Sequence, residues 1–202
     1  MIENYNDLTL GTFLEIDEVL HSDREDIDQQ VAIIAVLTGK TEEEILELPL
    51  TDYTALAAKT DFLRHDCPQV QAPARLIVGE TAYALVKDFT KITTAQYVDF
   101  QTFSKQGTQK LPELLAVLLV PEGHKYNEGY DFLDVVDDVK TLQLPVALSL
   151  VGFFFGALSE SIADSLTYLE GKAKTLPRKK AKAMLAEAER IKSLLAGAGL
   201  QM

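Results

Sequence analysis

Apolar residues recur at intervals of three and four in two early stretches of the chain, and this spacing predicts amphipathic helices. The first stretch is residues 8–20, where Thr9 or Thr12 could cap the helix. The second is residues 27–37, and Gly39 follows it at the position where a glycine often ends a helix.

A third helical signal begins at Thr41-Glu42-Glu43-Glu44, which has the S/T-x-x-E form of a capping box. The short helix that it opens should stop at Leu48-Pro49, because the residue before a proline disfavours helical geometry. A further helix is predicted over residues 51–63, and residues 64–74 read as a connector.

Residues 75–86 are the one convincing β element. They predict a strand over 75–78, a tight turn at 79–81 and a second strand over 82–86. Two strands alone are marginally stable, so we expect the hairpin to pack on the helices or to pair with another chain.

The second half of the chain repeats three blocks of the first half in the same order, which predicts a diverged duplication. The blocks are residues 8–16 with 92–100, 33–37 with 114–118, and 46–50 with 142–146. Their offsets of 84, 81 and 96 imply about fifteen extra residues in the second copy, near 121–135. We expect any functional asymmetry to reside in the second copy, and the first copy to be mainly architectural. Chance recurrence of short apolar blocks is the alternative.

The predicted fold class is therefore mainly α, with two diverged helical units linked by a short β-hairpin and followed by a C-terminal amphipathic basic helix. Helices are predicted over residues 159–171 and 177–196. The predicted divisions are an N-terminal helical unit, a connector with the hairpin, a second helical unit and a basic tail: 1–66, 67–90, 91–171 and 172–202.

Charge narrows the classes of partner. The net charge of −12 argues against nucleic acid as the main partner, although residues 172–202 carry eight basic and two acidic side chains. The uncharged run 144–158 would extend only ~22 Å as a helix, which is short for a membrane span of roughly 30 Å. A single cysteine and an N-terminus without signal-peptide character lead us to expect an intracellular protein.

Catalytic and cofactor signatures are missing from the sequence, so we expect no enzyme, no cofactor and no metal. There is no G-x-S-x-G motif and no phosphate-binding loop, and Cys67 with His65 makes a poor nucleophile pair beside a proline. Two groups of possible metal ligands match no zinc or EF-hand spacing and read as surface loops: His124 with Glu122, Glu128 and Asp131, and His21 with Asp23.

The remaining positive signal is apolar surface. Three consecutive phenylalanines point around a helix, so at least one ring should face away from the main core. We therefore predict a partner or oligomer interface, with burial on all sides within the chain as an equal alternative. Its residues are Phe153, Phe154, Phe155, Leu150, Leu158, Met184, Ile191 and Leu195.

Residues 8–63 resemble the tail assembly chaperones of long-tailed bacteriophages. The resemblance is carried by Leu8-Thr9-Leu10, the acidic turn 23–28, Ala35-Val36-Leu37-Thr38-Gly39, Thr41 to Leu46, and Leu48 to Tyr53. Residues 75–158 also look like a longer variant of that family.

The resemblance implies a helical, acidic, non-enzymatic protein that keeps a long tape-measure protein soluble during tail assembly in the host cell cytoplasm. It implies a tape-measure or other tail or virion protein as partner, with a homo-oligomer possible and no membrane. The alternative is a structural component of the virion, such as a connector or tail-associated subunit.

Overall fold

The computed structural model describes residues 1–86 and 88–157, apart from the side chain of Thr90. The chain divides into two compact units. One comprises Met1–Leu85 with Thr93–Val151, and the other comprises Val86–Ile92 with Gly152–Met202. The predicted boundaries at 66, 90 and 171 do not coincide with these units, so the predicted repeat and the compact units divide the chain differently.

The first two helices begin and end as their sequence signals predict. Helix α1 is Leu10–Leu20, and of the two candidate caps it is Thr9 whose hydroxyl accepts from the Thr12 amide. Helix α2 is Asp26–Thr38, and Gly39 ends it in the left-handed conformation at φ 68°. A glycine suits this position because it carries no Cβ to clash there.

Two shorter helices complete the first copy. Helix α3 is Glu42–Leu46, and its predicted capping box is confirmed, since the Thr41 and Glu44 side chains bond each other's backbone amides. Helix α4 is Leu50–Lys59 and continues as a 3-10 turn over Thr60–Arg64. The small core beneath them consists of Val31, Ile34, Ala35 and Ile45, with Leu48, Tyr53, Leu56 and Ala57 packed against it.

The β element has three strands rather than the predicted two. Strand β1 (Leu76–Val78) pairs antiparallel with β2 (Thr81–Leu85), with Leu76 opposite Tyr83. The other edge of β2 pairs with β3 (Leu119–Pro121), which places Pro121 opposite Tyr83. The hairpin is confirmed, and its second edge is covered within the chain.

The second half contains α5 (Thr94–Phe103), α6 (Leu111–Leu118) and α7 (Phe132–Lys140), and residues 144–157 are also helical (α8). Thr93 caps α5 as Thr9 caps α1, at the predicted offset. Helix α1 packs on α2 and α2 on α3, while α5 packs on α6 and α6 on α7. Helices that follow one another in the chain therefore pack together in both halves, and the duplication stays a prediction.

The two copies meet through the backbone around Thr9. The amide of Leu10 donates to the Leu142 carbonyl at 2.8 Å, and the amide of Leu144 donates to the Leu8 carbonyl at 2.7 Å. Helix α1 also packs on α7. The start of the first copy is thus tied to the start of α8 in the second. The predicted helices beyond residue 158 lie outside the described residues.

Candidate functional site

Four of the eight predicted partner-binding residues lie in the described part of the chain. Phe154 is 2% exposed and Leu150 is fully buried, whereas Phe153 and Phe155 are half-buried. The Phe153 and Phe154 rings meet edge to face, with centroids 5.4 Å apart. Two of these four side chains thus offer no surface to a partner. Leu158, Met184, Ile191 and Leu195 lie outside the described residues.

The structure also describes the residues that were weighed as metal ligands or as a nucleophile. Within residues 1–86 and 88–157 there is no cluster of three or more histidine, cysteine or acidic side chains able to hold a metal ion. Burial raises the pKa of the Cys67 thiol, which disfavours the reactive thiolate. No helix in the same residues is long and apolar enough to cross a membrane.

Helix α4 carries the first candidate surface. Unlike the other α-helices of the first copy, it contains no buried residue. Leu46, just before it, and Leu50, its first residue, are 67% and 76% exposed. Leu50, Thr54 and Ala58 follow at intervals of four along one side of the helix, and all three are exposed. We call Leu46, Leu50, Thr54 and Ala58 the α4 patch.

The second copy shows how unusual this exposure is. The 96-residue offset aligns Leu50, the first residue of α4, with Val146, two residues after the start of α8. Three aligned positions in α8 are buried: Leu144, Ala147 and Leu150. Their counterparts in the first copy are one half-buried and two exposed residues: Leu48, Thr51 and Thr54. Three positions that are buried in the second half are therefore exposed or half-buried in the first.

A groove of about 390 Å³ adjoins the α4 patch at Ala58. It is lined by Gln30, Ala57, Ala58, Thr60, Asp61 and Arg64. The Tyr53 hydroxyl donates to the Gln30 side-chain oxygen at 2.8 Å and holds α4 against α2. Small alanine side chains on one wall would let another helix approach closely.

The second candidate surface is a cleft of about 580 Å³ formed by α5, the loop 122–131 and the start of α7. We call it the aromatic cleft. Its lining consists of four aromatic rings, two carboxylates and one amide: Phe103, Tyr126, Tyr130, Phe132, Asp99, Asp131 and Asn127. The Phe103 and Phe132 rings are nearly parallel, with centroids 6.2 Å apart.

Hydrogen bonds fix the polar groups of the aromatic cleft. The Tyr126 hydroxyl donates to Asp99 Oδ2 at 2.8 Å. The Asn127 amide donates to the Tyr130 hydroxyl at 3.2 Å. Asp131 Oδ1 accepts from the Leu133 amide at 2.9 Å and so caps α7. Each carboxylate therefore has one oxygen that accepts a hydrogen bond from the protein itself.

Backbone geometry holds the loop in shape. Asn127 has φ 59° and Gly129 has φ 81°. A Cβ at Gly129 would lie 2.7 Å from the His124 ring, so this position needs a glycine for space as well as for conformation. The His124 ring in turn contacts Tyr130 edge to face. The tyrosine is thus positioned by the turn beneath it.

The charged side chains that line the aromatic cleft are acidic. Among the residues that the structure describes, its lining contains no lysine or arginine, and nearby Lys125 lies 3.9 Å from Glu128. Burial, followed by the hydrogen bond to Asp99 and its charge, raises the pKa of Tyr126 well above its usual value. Its hydroxyl therefore stays protonated and donates at neutral pH.

Sequence reasoning did not identify the aromatic cleft. Tyr126, Tyr130 and Phe132 all fall in the predicted extra segment of the second copy, where their clustering was the available signal. Phe103 comes from α5, and nothing local to it indicates this neighbourhood.

Known proteins offer no independent guide to either surface. In comparisons with protein families, curated proteins and solved structures, nothing matched this chain. Neither the α4 patch nor the aromatic cleft can therefore be assigned by analogy.

Proposed function

We propose that this chain is a non-enzymatic phage assembly protein that binds a long helical client, a tape-measure-like protein, and keeps it soluble in the host cytoplasm during tail assembly. The observation that carries the proposal is the uncovered α4 patch. The resemblance of residues 8–63 to tail assembly chaperones supplies the kind of client.

A helical client fits the shape and chemistry of the α4 patch. The patch presents two exposed leucines, a threonine and an alanine, and the adjoining groove has two alanines among otherwise polar lining residues. Amphipathic helices bind such surfaces by placing their own apolar stripe in the groove. The aligned residues of α8 support this mode, because Leu144, Ala147 and Leu150 are buried against other parts of the chain.

The charge of the chain suits a carrier. A net charge of −12 keeps a protein soluble while it exposes apolar side chains, and it opposes association between carriers. A complex with an apolar client would retain that solubility. This argument requires no reacting group on the protein.

The test is co-expression of the full chain with the tape-measure protein encoded in the same genome. We expect the client to be soluble with the unaltered chain and to precipitate with the double variant Leu46→Lys, Leu50→Lys. Lysine at these positions places a charge where the client's apolar stripe would lie, and since both side chains are exposed, folding should be little affected.

Leu133→Lys is the control. Leu133 is an exposed leucine of similar exposure, 65%, but it lies on α7, away from the α4 patch in the sequence. The substitution should leave client solubility unchanged. A client that precipitates with the unaltered chain, or stays soluble with the double variant, would contradict the proposal. So would stoichiometric amounts of the protein in purified particles by mass spectrometry, since that outcome would indicate a virion component.

A further inference from the structure

The chemistry of the aromatic cleft matches an organic cation. Ring faces carry negative potential and attract ammonium and guanidinium groups within about 6 Å. Asp99 and Asp131 add two carboxylates, and among the described residues no cationic side chain of the lining neutralises them. A neutral ligand would leave those two carboxylates hydrogen-bonded but without a cationic partner.

The side chains of the aromatic cleft are preorganised by contacts within the protein. Tyr126 is held by Asp99, Tyr130 by Asn127, and Phe103 by stacking on Phe132. Binding would therefore require little ordering of these side chains, and weak individual contacts could add up to measurable affinity.

The exposure of the lining indicates where the cation comes from. All seven lining residues are half-buried or exposed, and none is buried. Sites for free small molecules usually enclose most of their ligand. An open cleft suits a cationic group that is presented by a larger molecule and reaches in from one side.

We propose that the aromatic cleft binds an arginine or lysine side chain of a partner polypeptide. The four rings hold the apolar stem and the charged head, and the two carboxylates pair with the head. This site is separate from the α4 patch and does not depend on the proposed client.

The test uses the full chain and short glycine-serine peptides with a single central arginine, lysine or citrulline. Citrulline has the shape of arginine without the charge. We expect the arginine and lysine peptides to shift the amide NMR signals of residues 99, 103 and 126–132, and the citrulline peptide to bind at least about fivefold more weakly.

Two variants locate the interaction. Asp99→Asn should weaken binding of the arginine peptide about fivefold, while its amide oxygen can still accept from Tyr126. Asp134→Asn, on an exposed carboxylate of α7 outside the cleft, should leave it unchanged. Phe132→Leu should also weaken binding, because it removes a ring but retains an apolar side chain.

Three results would overturn the assignment. Equal binding of the citrulline and arginine peptides would show that charge is not recognised. Equal effects of the two aspartate substitutions would show only general attraction to an acidic protein. Tighter binding of choline than of either cationic peptide would identify a site for a free quaternary ammonium compound instead.

Discussion

Substitution of Gln96 by alanine should lower the free energy of unfolding more than the loss of a helix-capping bond alone would. Gln96 is 5% exposed and makes two kinds of hydrogen bond. It forms a capping box with Thr93, through Thr93 N to Oε1 and Gln96 N to Thr93 Oγ1, both at 3.1 Å. Its Nε2 also donates to the carbonyl of Val117 at 3.1 Å.

The bond to Val117 is the costly one to lose. Val117 lies in the last turn of α6, where carbonyls have no intrahelical donor, and the residue is fully buried. An unpaired buried acceptor costs about 1–3 kcal/mol. Loss of the capping bond should cost about 0.5–1 kcal/mol more, because Thr93 is exposed and water can replace the side chain. We therefore expect a total of about 1.5–4 kcal/mol.

Glu44→Ala provides a matched control. Glu44 occupies the same position in the capping box of α3, but it is exposed and no bond to a buried carbonyl accompanies it. Its removal should cost about 0.5–1 kcal/mol. Urea unfolding followed by far-ultraviolet circular dichroism gives both values, since the chain has no tryptophan.

The comparison isolates the buried bond, provided that the urea dependence of unfolding is the same in both variants. The two losses should differ by at least about 1 kcal/mol. If they agree within a few tenths of a kcal/mol, the Val117 carbonyl must be satisfied in another way, and the reasoning is refuted.

Two further predictions concern the packing of α7. Gly11 lies so close to α7 that a Cβ there would be 3.3 Å from the Lys140 carbonyl oxygen. Gly11→Val should therefore lower the free energy of unfolding by about 1–3 kcal/mol in urea. Ala95→Val, at the exposed equivalent position of α5, is the control and should cost under about 1 kcal/mol. An equal loss in both would contradict close packing between the copies. Burial and the hydrogen bond to Asp138 raise the pKa of the Tyr83 hydroxyl above its usual value of about 10. The protonated hydroxyl therefore stabilises the folded state, fully below pH 10 and less as pH rises toward the folded-state pKa. Tyr83→Phe should flatten the fall in stability above pH 10, and an unchanged slope would contradict this origin.

Local sequence determined most helix boundaries, because the signals that start and stop helices act within one turn. Thr9 and Thr41 begin helices at the predicted places through their side chains, and Gly39 ends one through its backbone conformation. The turn at Gly79 is of the same kind. These features depend on neighbours in the chain, so the sequence displays them directly.

Strand β3 could not be read in this way. The residues of 114–119 form one apolar run, and no local signal separates the end of α6 from the start of a strand. Leu119 becomes extended where the chain pairs with β2, a partner more than thirty residues earlier in sequence. Pairing of this kind is a tertiary interaction, and periodicity does not report it.

Which large apolar side chains are exposed also depends on the tertiary structure. An apolar stripe with three phenylalanines indicates that something is covered, but the sequence leaves open whether the same chain or a partner covers it. The fold buries Phe154 and Leu150 and leaves Leu46 and Leu50 exposed, although all four are large apolar residues.

The sequence by itself determined a mainly helical chain with a β-hairpin and with helices capped at defined residues, while the duplication stays a prediction. Only the tertiary structure decided which copies of the repeat bury their last helix and which side chains meet across α5, the loop 122–131 and α7. The physical reason is that helix signals are local, whereas burial and the convergence of side chains from distant segments depend on how the elements pack.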